Sequence, residues 1–235
     1  MLDLFNRPAL VAGTCGIALI ASTAAADHID FISPTDGTSF SLTVATGGNV
    51  TDTQSGDPAS ILGGTRTVTL DGTGGFSGNI TATKASGSDV IDVDTGTTAA
   101  GILTLDYSFA ASDFDTMWDR IDVAIPFLGQ RSGTGDGEFD AFLTVTSAAG
   151  NGTADSGRIE ASITGGSTVL SFNFDDPDFA AVDFTSVDGV TLTIDTAIIG
   201  TDYQIGSITR AAVPEPASLA LLSLGGLGLL RRRRA

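Results

Sequence analysis

Between Asp27 and Val213 the chain repeats one pattern: apolar and polar residues alternate in short runs, each stopped by Gly, Asp, Asn or Thr. A period of two puts every second side chain on the same side of an extended backbone, so each run can bury one face and wet the other. Phe40, Leu42 and Val44 do this, as do Val68 with Leu70, and Leu103, Leu105, Tyr107 and Phe109. Ile121, Val123 and Ile125 follow, then Phe139, Ala141, Leu143 and Val145. Later come Ile159 with Ile163, then Leu170, Phe172 and Phe174, then Val190, Leu192 and Ile194, and the run Tyr203 to Ile208 closes the set. No helix-length 3.6-residue pattern interrupts them, and only the stretches 110–115 and 176–183 have room for single helical turns. The pattern predicts an all-β fold, roughly nine to eleven strands packed as an antiparallel β-sandwich of jelly-roll type.

Both ends depart from it. Arg7 precedes a nearly unbroken apolar run from Ala9 to Ala21, and Ala24 and Ala26 place small residues at the −3 and −1 positions before Asp27. This is the charged region, apolar helix and cleavage site of a secretory signal peptide, which implies the Sec machinery and signal peptidase as partners. At the other end Val213, Pro214, Glu215 and Pro216 lead into an uncharged segment, Ala217 to Leu230, closed by Arg231, Arg232, Arg233 and Arg234. The prolines fix φ and cannot extend a helix backwards, so they form an exposed hinge. The apolar segment makes about 21 Å of helix against the ~30 Å of a hydrocarbon core, and snorkelling arginines with local thinning can make up several ångströms of the difference. The arginines hold that end in the cytoplasm. The expected division is a signal peptide at 1–26, a sandwich domain at 27–212 and a tail with a short transmembrane helix at 213–235.

That tail resembles the PEP-CTERM sorting signal of Gram-negative, exopolysaccharide-producing bacteria. The likeness rests on Pro214-Glu215-Pro216, on Ala217-Ser218-Leu219-Ala220, on Gly225-Gly226-Leu227-Gly228-Leu229 and on the arginine run. It implies recognition by exosortase, a membrane-embedded cysteine transpeptidase-like enzyme, and a cut near the Pro-Glu-Pro element. The precursor would then sit transiently in the inner membrane and the product at the cell surface or outside. Three stretches also look like the body domain common among such proteins: Ile61-Leu62-Gly63-Gly64-Thr65-Arg66, the Asp106-Tyr107 strand, and Asp183-Phe184-Thr185-Ser186-Val187. This second likeness implies a jelly-roll-like sandwich and no established activity.

Without the two ends, the 28 acidic residues fall by Asp3 and Glu215 to 26, and the 11 basic ones by five arginines to 6, a balance near −20. Such charge excludes nonspecific binding to nucleic acid or anionic membranes. Cys15 lies inside the signal peptide and is the only cysteine, so the mature chain has no disulfide, thiol nucleophile or cysteine metal site. His28, the only histidine, sits at the new N-terminus, a poor place for the positioned imidazole of a triad.

Calcium is the cofactor the residues admit, because it takes hard oxygen ligands from loops. Three acidic runs offer them: Asp52 to Asp57, then Asp136, Glu138 and Asp140, then Asp175, Asp176 and Asp178. None follows an EF-hand or nonapeptide repeat, and turn chemistry accounts for acidic residues at such positions. Trp118, the only tryptophan, and Arg120 form a candidate sugar platform, with a core-edge tryptophan as the plainer reading. A carboxylate-pair glycoside hydrolase is the remaining alternative. The expectation is an exported, exosortase-processed, non-catalytic protein, structural or adhesive within extracellular polysaccharide. A glycan-binding module, calcium-assisted or not, is the alternative.

Overall fold

The computed structural model describes residues 27–75, 78–96, 98–130, 138–160, 165–196 and 200–212. Their element order is β1 (Asp27–Phe31), β2 (Phe40–Ala45), β3 (Asn49–Ser55), β4 (Thr65–Gly75), β5 (Asn79–Lys84), β6 (Ile91–Asp94) and β7 (Ala99–Ser112). Then come β8 (Arg120–Gln130), β9 (Glu138–Ser147), β10 (Gly150–Glu160), β11 (Gly166–Asn173), β12 (Val187–Asp195), β13 (Thr201–Ile205) and β14 (Ser207–Ala211). Three single 3₁₀ turns, at Leu62–Gly64, Pro177–Phe179 and Phe184–Ser186, are the helical segments among the described residues.

Two antiparallel sheets form. In the first, β8 lies between β11 on one side and β13 and β14 on the other, and the sheet continues through β6 and β5 to β2, with β1 beside β14. The second runs β10-β9-β12-β7-β4-β3. The chain is therefore an antiparallel β-sandwich, as the alternation requires. The fourteen strands among the described residues exceed the nine to eleven expected, because β1, β3, β5, β6 and most of β10 carry weak or short apolar patterns. β3 is a clear case. Its inward-leaning positions are Val50, Asp52 and Gln54, and it sits at a sheet edge, where charge blunts strand-to-strand aggregation.

The core lies between the sheets. Leu103, Leu105 and Tyr107 of β7 and Leu192 and Ile194 of β12 face it from one sheet, and Ile121, Val123 and Ile125 of β8 from the other, all buried. Each such aliphatic side chain contributes about 1.5–3 kcal/mol relative to exposure. The opposite face of the second sheet carries a cross-strand row, Thr53-Thr67-Asp106-Thr191-Thr144-Thr153. Threonine suits that wet face because its β-branch fits the pleat while its hydroxyl meets water or a neighbour. Thr144 and Thr153 hydroxyls are 2.8 Å apart, and the Thr191 hydroxyl donates to Asp106 at 2.6 Å.

Charges tie the two sheets together at one place. The chain's only lysine, Lys84, is buried on β5 and donates to Asp36 Oδ1 (2.9 Å), Thr38 O (3.0 Å) and Ser33 O (3.2 Å), which occupies all three ammonium protons. Arg66 of β4 is also buried, pairs with Asp30 of β1 and donates to Thr38 Oγ1 at 3.2 Å. Tyr107 of β7 donates its hydroxyl to Asp30 Oδ2 at 2.6 Å. Burial pushes the Asp30 carboxyl above the usual range, with Arg66 and the Tyr107 hydroxyl pulling against it.

These contacts show what the three stretches singled out in the sequence do in the fold. Ile61 is buried and bridges to Asp30, and Arg66 carries the inter-sheet pair. Between them Gly63 holds φ +80°, and a Cβ there would lie 2.8 Å from both Phe109 Cβ and the Ser108 carbonyl oxygen. Asp183 caps its 3₁₀ turn by accepting from Thr185 N at 3.0 Å, and Val187 enters the core.

Candidate functional site

One end of the sandwich brings the acidic run at 175–178 against the loop that carries Trp118. In the β7–β8 loop, Asp113 accepts from the amides of Asp115 (2.9 Å) and Thr116 (3.1 Å), the local bonding that folds the chain back on itself. Hydrogen bonds from Thr116, first its side chain and then its amide, hold the Asp113 carboxyl below the usual range. In the β11–β12 connection, Asp176 accepts from Asp178 N at 2.9 Å and starts the turn at Pro177. The two loops meet through Phe114 N, which donates to Phe184 O at 2.7 Å, and Phe174 N, which donates to Asp119 O at 2.8 Å. Between them opens a cleft of about 550 Å³ lined by Asp115, Asp119, Asn173, Phe174, Asp175 and Phe184. Phe174 and Phe184 stack at 4.1 Å between ring centroids and form its apolar wall.

Trp118 is half-buried at the margin of this region. The Arg210 guanidinium sits 4.0 Å from its ring centroid and 4.6 Å from that of Phe114, so Arg210 lies against both rings. One indole face is therefore used in packing. Arg120 turns to its own strand, with Nε 3.0 and 3.2 Å from the two Asp122 carboxylate oxygens. The structure thus brings Trp118 close to the cleft and commits Arg120 to Asp122.

The calcium candidates separate. Asp52 lies in β3 and not in a loop, and its carboxylate accepts from Gln54 Nε2 two positions along the strand. Asp57 accepts from Ala59 N at 2.9 Å, a turn contact. Glu138 pairs with Arg158 Nε at 3.0 Å across β9 and β10. Asp140 faces Asp195 across the β9–β12 pair, where burial first and Asp140 second push the Asp195 carboxyl up. Asp175 and Asp176 lie near the opposite end of β9, since Asp183 N of the same connection bonds Ser147 Oγ at 3.0 Å. Seven residues of strand, about 24 Å, separate Asp140 from Ser147. Among the described residues no three acidic, histidine or cysteine side chains converge on a point that could hold a metal ion. Asp136 lies outside the described residues, as do Ala24, Ala26, Pro214, Glu215, Pro216 and Arg231 to Arg234. Asp27 opens β1 opposite Arg210.

A second cleft, of about 480 Å³, lies on the outer face of the first sheet. Asp92, Asp94, Phe127, Gly129, Asp202 and Gln204 line it. Extending the alternation of Ile121, Val123 and Ile125 would put Phe127 in the core. Instead a β-bulge intervenes: Ile125 faces Thr168 and Leu128 faces Gly166, so Pro126 and Phe127 together oppose Ser167 alone. The extra residue returns Leu128 to the core and turns Phe127 outward, 39% exposed. Proline suits such a position because it has no ladder amide to lose. The ring settles where two glycines leave room. A Cβ on Gly129 would lie 2.5 Å from Phe127 Cζ, and one on Gly165 2.6 Å from Cε2. Sequence reasoning missed this residue, although the Pro-Phe-Leu-Gly run was a visible break in the period.

With this geometry established, the PEP-CTERM protein-sorting motif matches residues 212–234. The chain carries a PEP-CTERM sorting signal. The match begins directly beyond β14, which ends at Ala211. No curated protein matches the chain. Among solved structures it is similar to the family 11 carbohydrate-binding module from Clostridium thermocellum in complex with a beta-1,3-1,4-mixed-linked tetrasaccharide, at TM-score 0.40 and 11% identity over 81% of this chain and 98% of that one. It is similar to the CBM22-1 xylan-binding domain from Paenibacillus barcinonensis Xyn10C at TM-score 0.36 and 10% identity, over 81% and 98%. PfGH50B matches at TM-score 0.39 and 11% identity over 62% of this chain, which spans 22% of that structure's length. Likenesses of this order carry no functional weight. Among the described residues no helix is long and apolar enough to cross a membrane, and the apolar segment 217–230 lies outside them.

Proposed function

We propose that this PEP-CTERM chain is an exported protein that exosortase processes and delivers to the cell surface or extracellular matrix. There its sandwich is a non-catalytic structural or adhesive component of the polysaccharide layer. The sorting motif at 212–234 carries the reading. A plain membrane anchor needs only apolar length and positive charge, whereas an enzyme-read signal needs the shape and carboxylate of Pro214-Glu215-Pro216. Changing Glu215→Ala together with Pro216→Ala is expected to trap uncut precursor in the inner membrane. The measurement is precursor mass and membrane fraction in the native host and in an exosortase-deficient strain. Normal maturation of the variant, or unchanged maturation without exosortase, would leave an ordinary anchor and end the sorting hypothesis.

A second reading, that the sandwich binds glycan directly, is supported by the open cleft on the first sheet with its outward aromatic ring. Calcium is not required by this reading. Retention of the protein on immobilised polysaccharide tests it.

A further inference from the structure

The outer face of the first sheet carries more than a local dent. Phe127 of β8 stands opposite Gln204 of β13, Gln204 opposite Asp92 of β6, Asp92 opposite Thr83 of β5, and Thr83 opposite Ser41 of β2. Cross-strand neighbours share a face, so these five side chains form one line perpendicular to the strands. Four strand spacings give it a length of about 19 Å. The line begins with an aromatic ring and continues as amide, carboxylate and two hydroxyls. Its polar members are fixed: Gln204 Nε2 donates to Asp92 Oδ1 at 2.6 Å, and the hydroxyls of Ser41 and Thr83 are 3.4 Å apart. Beside it, Asp94 accepts from Gly96 N at 2.7 Å and Asp202 from Thr95 N at 3.1 Å.

Three features narrow the ligand. The Phe127 ring is positioned before anything binds, because the bulge aims it and Gly129 and Gly165 seat it, so little ordering cost remains. Its exposed surface offers a flat, electron-rich face to polarised C–H groups. The neighbouring groups are mostly acceptors, since carboxylates cannot donate when ionised, and they sit on a chain of net charge −17. An occupant must therefore present a flat apolar C–H face edged with hydroxyl donors, without negative charge. A pyranose ring has that form, and a line of hydrogen-bonding groups suits successive rings of one chain. We propose that this face is a binding track for an uncharged glycan chain lying across the strands, with one sugar ring stacked on Phe127 and its hydroxyls donating to Asp92. The proposal rests on the glycan-binding reading above and locates it.

The test titrates the full-length protein, in mild detergent, with hydroxyethyl cellulose, galactomannan, dextran, alginate and chitosan oligosaccharide, followed by affinity electrophoresis and calorimetry. At least one neutral polysaccharide is expected to bind and alginate is not. Phe127→Ala is expected to weaken that binding about tenfold or more, the scale of one aromatic anchor, and Phe127→Trp to retain it. Gln204→Ala, a surface change on another strand, provides an independent loss should Phe127→Ala fail to fold by circular dichroism. Neutral-glycan binding unchanged in both alanine variants would overturn the track and leave the glycan reading standing. Preference for alginate would overturn the assigned class, as would binding confined to chitosan and abolished by roughly 0.5 M salt. No binding to any of the five, or self-association through this face in place of binding, would overturn track and glycan reading together. The sorting proposal above is unaffected by any of these outcomes.

Discussion

At the scale of single residues, the buried ion pairs decide most. Arg66 and Asp30 are both fully buried, and removing Arg66 takes away the cation that offsets burial of the Asp30 carboxyl, leaving it the Tyr107 hydroxyl. Arg66→Ala is therefore expected to cost about 3–5 kcal/mol, read from urea unfolding. A cost below about 1 kcal/mol would show that water reaches the site. The second pair sets a pH dependence. Burial pushes the Asp36 carboxyl up, but the Thr38 amide, the Lys84 ammonium and the Thr38 hydroxyl outweigh it and hold it below the usual range. Folding thus favours the charged form of Asp36. Its stabilisation is complete above the unfolded value of about 3.9 and is lost as pH falls through the lower folded value. Asp30 moves oppositely, because burial favours its protonated form and its contribution grows as pH falls. Asp36→Asn is expected to flatten the loss of stability between pH 5 and 2 (roughly the span over which a depressed carboxyl titrates). Urea midpoints across that range check it, and an equally steep decline in the variant would assign the acid sensitivity to another carboxylate.

At the scale of elements, turns and bulges place what the strands carry. The 3₁₀ turn at Leu62–Gly64 lets the chain pass from buried Ile61 to buried Arg66 while touching β7. Gly63→Ala meets both a left-handed φ and two 2.8 Å contacts, one with backbone. The expected loss is about 1–3 kcal/mol from backbone strain alone, measured by thermal or urea unfolding. A neutral result would mean that the turn can shift away from Ser108 and Phe109 at little cost. The β8 bulge is the other such element. It exchanges one ladder position for an outward aromatic, and it is why an apolar residue in an apolar run ends on the surface.

At the scale of the molecule, the described strands stop just short of the sorting motif. β14 ends at Ala211, and the sorting motif starts at residue 212. The proposed cleavage before Asp27 would leave Asp30 and its pair with Arg66 in place. Later cleavage, beyond Asp30, would strip that partner away. Surface protein is therefore expected to begin at Asp27 or within two residues of it, as read by intact mass. Retention of Met1 on surface protein would overturn the signal-peptide assignment.

Alternation alone determined that this chain makes an antiparallel sandwich, because period two is a local property that survives any strand order. The sorting signal was equally legible, since it is read as a contiguous string. Strands without strong apolar contrast were poorly legible: β3 has no fully buried position, and β10, marked in sequence only by Ile159, buries just Gly152 and Ala154. The candidate site was legible only in part. Trp118 and Asp175 stood out by residue type, but whether they meet depends on two loops that place them 57 positions apart in the chain. That Arg210 would occupy the indole face, that Lys84 and Arg66 would be buried, and that Phe127 would face water were decided by tertiary structure. Each depends on a partner far along the chain or on a one-residue change of register, and neither distance nor register is written in local composition.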